Sequence, residues 1–170
     1  MTIRDIVPFG DPILRKKAKE VDVLTPKLQR LLDDMAQTLY ASEGRAGLAA
    51  PQVGFLRRLI VLDCGNGLIE LINPEIIEVK GEQYGPEGCL SFPGYYGMVK
   101  RGQYIKYRTQ NRQGEWVEKE AEDFEARCIQ HEIDHLNGVL YIDHVLEPHL
   151  IHEITGQHMN VMDAIRIANG

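Results

Sequence analysis

Apolar residues first recur at helical spacing over residues 25–42, where Leu28, Leu31, Leu32, Met35 and Leu39 form one stripe. Thr25-Pro26 supplies a cap and a proline in the first turn, so a helix is predicted there. The period then changes. The continuous apolar run 59–62 predicts a strand, Gly65-Asn66-Gly67 a hairpin turn, and 68–72 the partner strand, with a further strand over 76–79. Alternating positions in 99–101, 104–109 and 116–120, the last two joined by Asn111-Arg112-Gln113-Gly114, predict antiparallel strands with one wet face. Helical spacing returns behind the acidic pair Glu122-Asp123, with Phe124, Cys128, His131 and His135 on one face and Asn137-Gly138 as the stop. The segment from Glu147 onward reads as helical over 150–158 and again over 161–168.

Two stretches break these patterns. Residues 44–54 are rich in Gly and Ala, which leaves their backbone open to close approach by a ligand or another strand. Residues 85–94 carry so much Gly and Pro that they are expected to form an irregular loop presenting Cys89. The fold class predicted is α+β, with small antiparallel β-sheets packed around a central helix that carries the histidines. Residues 1–170 are expected to form a single domain, with 147–170 as a C-terminal helical tail.

Composition narrows the setting. With 170 residues the chain can bury a core without disulfides. A formal net charge of -6 argues against a general nucleic-acid binder, and no apolar run approaches a membrane span. Three cysteines, Cys64, Cys89 and Cys128, give no paired framework and favour a reducing compartment. The N-terminus has no secretory pattern, so a soluble cytoplasmic protein is expected.

The chemistry is concentrated in His131-Glu132-Ile133-Asp134-His135. Residues four apart share a helix face, so His131 and His135 can aim two imidazoles at one metal ion. Glu132 is turned about 100 degrees away, beside the ion, where a general base for an attacking water should stand. A third ligand is needed. His144 falls three residues too late for one zinc-protease spacing, whose third ligand position is held by Tyr141. Glu147 and Glu153 stay open on spacing alone. Cys128 shares the helix, but ligands at 128, 131 and 135 would spread over about 10 Å, so it is better placed as a cavity wall beside Phe124. Cys89 is the favoured ligand, and its thiolate suits softer ions such as Zn(II) or Fe(II).

Three segments, Gly47-Leu48-Ala49-Ala50-Pro51-Gln52, Glu87-Gly88-Cys89-Leu90-Ser91 and Gln130-His131-Glu132-Ile133-Asp134-His135, resemble in order and spacing the three motifs of the peptide deformylases. The likeness runs from Ile6 to about Asp143 and includes the opening Asp11-Pro12-x-Leu14-Arg15. The resemblance implies that Cys89, His131 and His135 hold the metal, with Fe(2+) as native ion and Zn(2+), Ni(2+) or Co(2+) as substitutes. It implies Glu132 as general acid/base, and Gln52 with the Leu90 backbone N–H as donors to the oxyanion. The substrate implied is an N-formyl-methionyl peptide, cleaved to formate and a free amine. That peptide would lie as an added strand between Ala46, Gly47 and Gly88, with its methionine near Phe124, Cys128 and His131. Where the family reads Gly-x-Gly before Leu-Ala-Ala, this chain has Arg45-Ala46-Gly47, so the loop rim is expected to differ. Its acidic tail does not match the basic ribosome-docking helix of some bacterial members, which leaves only a transient ribosome contact. The competing readings are a zinc peptidase with a downstream carboxylate ligand and a catalytically silent metal-binding relative. The latter has no chemical need for Glu132 and Gln52.

Overall fold

The computed structural model describes residues 2–170. Helix α1 (Pro26–Tyr40) is capped by Thr25, whose hydroxyl accepts from the Leu28 N–H at 3.3 Å. Strands β1 (Gly47–Ala49), β2 (Leu59–Leu62) and β3 (Ile69–Lys80) follow. Next come β4 (Gln83–Cys89), β5 (Phe92–Arg101), β6 (Tyr104–Gln110) and β7 (Trp116–Glu122), then helix α2 (Asp123–Leu136). The chain closes with β8 (His149–His152), β9 (His158–Asn160) and α3 (Val161–Asn169). Two antiparallel sheets result, ordered β1-β2-β3-β6-β7 and β4-β5-β8-β9.

The five-stranded sheet lies between α1 and α2. Leu31, Leu32, Met35 and Leu39 of α1 pack on Leu48, Leu59 and Val61, while Ala126, Ile129, Ile133 and Leu136 of α2 pack on Ile60, Leu62, Leu71 and Tyr107. Helices cover both faces of β2, which explains its continuous apolar run in place of alternation. A third core joins the two ends of the chain, with Leu14, Val99, Tyr141, Leu150, Val161 and Ala164 in contact. The central helix therefore has the five-stranded sheet on one side and the β4-β5 hairpin on the other.

Three expectations are corrected. Residues 85–94 are not an irregular loop but the end of β4, a tight turn at Leu90-Ser91 and the start of β5, with Cys89 opposite Phe92. Pro86 fits because β4 is an edge strand, where its missing N–H costs no ladder bond. The predicted strands 68–72 and 76–79 are one strand, β3, interrupted by a register shift between Ile72 and Glu75. Asn73 takes φ +51 there, and its side chain exchanges two 2.8 Å hydrogen bonds with the backbone of Val21. The tail is not helical over 150–158. It forms the hairpin β8-β9, with β8 paired to β5 through Tyr95↔His152 and Tyr96↔Ile151. Nine residues of helical period were too few to outweigh an available sheet edge. The helix expected over 161–168 is present as α3.

Candidate active site

Helix α2 begins behind Glu122 and ends at Leu136, with Asn137 as its C-cap and Gly138 after it at φ +74. It carries His131, Glu132 and His135 inward, all three buried. Cys89 arrives from the end of β4, where the register shift between Glu87 and Cys89 re-aims the strand beside the helix. The ligand atoms of Cys89, His131 and His135 all lie within 4.8 Å of one another, and Cys89 Sγ is 3.3 Å from His135 Nε2. One thiol and two imidazoles converge on a point, and among the described residues no other His, Cys, Asp or Glu joins this set. That is the open donor set of a catalytic metal centre rather than a closed structural one.

Charges around the three donors are arranged in layers. Burial alone disfavours charge on His131, but Cys89 and Glu87 pull its proton affinity well above the ordinary imidazole range. Burial holds His135 well below it, leaving a neutral ring for coordination. Glu87 accepts or shares the Nδ1 proton of His131 at 2.9 Å. Metal-binding histidines commonly carry such a carboxylate on the second ring nitrogen, which fixes tautomer and ring orientation. Burial would raise the Glu87 carboxyl, yet paired hydrogen bonds from Arg101 at 2.8 Å and the His131 contact hold it well below the usual carboxylate range. Arg127 adds a further bond at 2.7 Å, and Arg101 reaches on to Asp134 at 2.6 Å.

Glu132 stands apart from this ionic cluster. Burial pushes its carboxyl up to about 7, and its Oε1 is buried without a hydrogen-bond partner. A buried, unpartnered carboxyl oxygen beside a metal-type donor set is suited to exchange a proton with a reacting group. Gly47 faces it closely: a Cβ at Gly47 would sit 2.8 Å from Glu132 Oε2, so only glycine leaves Glu132 its position. Gln52, in the turn Ala50–Val53, accepts from the Ala49 N–H at 3.0 Å through Oε1. Its amide nitrogen is thereby turned toward Ser91 Oγ at 3.2 Å and Cys89 Sγ at 3.5 Å.

All of this opens into a cavity of about 540 Å³. Ala46, Gly47, Gln52, Gly88, Cys89, Leu90, Phe124, Cys128, His131 and Glu132 line it, while His135 lies behind the wall, 1% exposed. Phe124 is at the rim and half exposed. Sequence reasoning named no role for Glu87, although the residue stood inside the quoted motif. Its three basic partners come from β5 and α2, so only the fold brings them together. Tyr95 of β5 and Glu153 of the β8-β9 turn also line the cavity and were missed as cavity residues; the segment that carries Glu153 was expected to be helix.

A family model described as polypeptide deformylase matches residues 3–149. The chain belongs to the peptide deformylase family. A curated relative named peptide deformylase, from Caldanaerobacter subterraneus subsp. tengcongensis, is 56% identical over 146 residues, 86% of this chain and 91% of that one. The crystal structure of peptide deformylase from Thermotoga maritima superposes with a TM-score of 0.83 at 46% identity, covering 86% of this chain and 100% of that one. That of a Synechococcus elongatus peptide deformylase in complex with actinonin gives 0.80 at 41%, covering 84% and 79%. As in a metal-dependent hydrolase of this family, the Cys89, His131, His135 set is intact. Among the described residues no helix is long and apolar enough to cross a membrane.

Proposed function

We propose that this deformylase removes the formyl group from N-formyl-methionyl peptides, releasing formate and a free amine. The observation that carries the reading is the buried, unpartnered Glu132 carboxyl beside Cys89, His131 and His135 at the base of a cavity of peptide dimensions. A thiolate with two imidazoles suits Fe(2+) as the resident ion and accepts Zn(2+), Ni(2+) or Co(2+). A divalent ion held there supplies Lewis acidity to the attacking water. Glu132 takes the proton of that water and later passes it to the leaving amine. The Gln52 amide and the Leu90 N–H donate to the formyl oxygen as it gains charge. Gly47 and Gly88, on either side of the cavity, pair with the peptide backbone as with an added strand, Ala46 flanks it, and Phe124 and Cys128 receive the methionine side chain.

Formyl carbon bears hydrogen where acetyl bears a methyl group, so a narrow site selects it against acetyl by shape. The three free cysteines fit a reducing compartment, which favours the cytoplasm. Ribosome contact is transient in this reading, because the C-terminal segment is folded onto β5. The test is formate release from a formyl-Met dipeptide by anaerobically iron-loaded protein, with the acetyl-Met analogue as control. Cleavage of the first alone is expected. Absence of formate, or equal cleavage of both, contradicts the reading.

A further inference from the structure

The hairpin β8-β9 begins at residue 149, the last residue the family model matches, and it holds a second pair of facing imidazoles. The register pairs His149 with Asn160 and Ile151 with His158, so His149 and His158 project from the same sheet face at diagonal positions. Both are exposed, and their ring centroids are 5.4 Å apart at 55°. Two neutral imidazoles bound to one tetrahedral ion through bonds of about 2.1 Å have centroids about 5.2 Å apart. The pair at the catalytic centre, His131 and His135, shows 5.1 Å and 65°. The surface pair therefore reproduces the spacing of the pair that ligates metal in the cavity. The remaining hairpin histidine is otherwise engaged, since its Nδ1 accepts from the Ile154 and Thr155 N–H groups and its ring packs edge-on against Tyr95.

We infer that His149 and His158 form a second, external binding site for a divalent transition cation of the zinc, nickel or copper class, with water completing the coordination. Imidazole donors select these ions over Mg(2+) and Ca(2+), which prefer oxygen. An ion there ties β8 to β9 and so braces the hairpin whose turn carries Glu153 to the cavity mouth. The inference is independent of the reaction assigned above, because it uses none of the cavity residues.

The full chain, already loaded at its catalytic centre, is dialysed against zinc at neutral pH and its metal content measured by elemental analysis. The wild type is expected to hold one more zinc per chain than the His149→Gln, His158→Gln double variant. His152→Gln is expected to keep the extra ion. Equal zinc in wild type and double variant overturns the inference, as does loss of the ion in His152→Gln to the same extent. A second measurement uses unaltered protein: Ni(2+) is expected to broaden the ring resonances of His149 and His158 before those of His144 and His152. Broadening that leaves both rings untouched overturns the site as well.

Discussion

The proton transfer proposed for Glu132 needs a position that only glycine at residue 47 leaves open. A methyl group at residue 47 would fall 2.8 Å from Oε2, so the carboxyl must move. Displacing a catalytic group by about 1 Å costs up to roughly a hundredfold in rate. Gly47→Ala is accordingly expected to lower kcat for formyl-Met peptides by about tenfold to a hundredfold while leaving metal content unchanged, as checked by steady-state kinetics beside elemental analysis. Gln52→Leu removes an amide donor instead and is expected to lower kcat by about a hundredfold or more, the usual cost of one oxyanion donor. At this scale the sequence was most readable where chemistry is local. His131, Glu132 and His135 sit within five residues, and helix geometry alone orders them. Glu87 was not readable as the partner of His131, because its meaning depends on Arg101, Arg127 and His131 arriving from different elements.

Among the elements, the β4-β5 hairpin is what turns two helical histidines into a metal site. It brings Cys89 to the point where the two imidazoles converge and inserts Glu87 between Arg101 of β5 and Arg127 of α2. Removing one partner of a buried ion pair leaves uncompensated charge and costs about 3–5 kcal/mol. Glu87→Gln is expected to lose stability of that order in urea denaturation at pH 6. The pH dependence has a definite sign. The folded Glu87 carboxyl is held below its unfolded value of about 4.5, so its contribution is full above that pH and is lost as pH falls toward the lower native value. The gap between wild type and Glu87→Gln should therefore shrink between pH 6 and pH 3, and a gap that widens would contradict the pairing. The hairpin was hidden in the sequence by Gly85, Pro86, Gly88 and Gly94. Punctuation of that density marks a loop unless the strand lies at a sheet edge, and edge position is a tertiary fact. Helix α1 was legible from the start, since its cap and stripe are local. Thr25→Ala should destabilise it by about 1 kcal/mol, measured as a shift in the denaturation midpoint.

Over the whole molecule, the five-stranded sheet, α2 and the β4-β5 hairpin meet at one place, and the cavity is there. The α+β class followed from counting helical and alternating periods. The hairpin β8-β9 did not, because its residues satisfy a short helical pattern until β5 offers its edge to Ile151 and His152. That pairing places Glu153 at the mouth and the facing rings of His149 and His158 on the outside. The central claim joins all three scales: a Cys89, His131, His135 centre is built by the fold, and Glu132 performs the proton transfer there without being a ligand. It is tested most directly by measuring formate release per bound metal for wild type and Glu132→Gln loaded under the same anaerobic conditions. Equal metal occupancy with a loss of about a hundredfold or more in formate release is the predicted result. Wild-type turnover in Glu132→Gln, or loss of the metal with the carboxylate, would contradict the account.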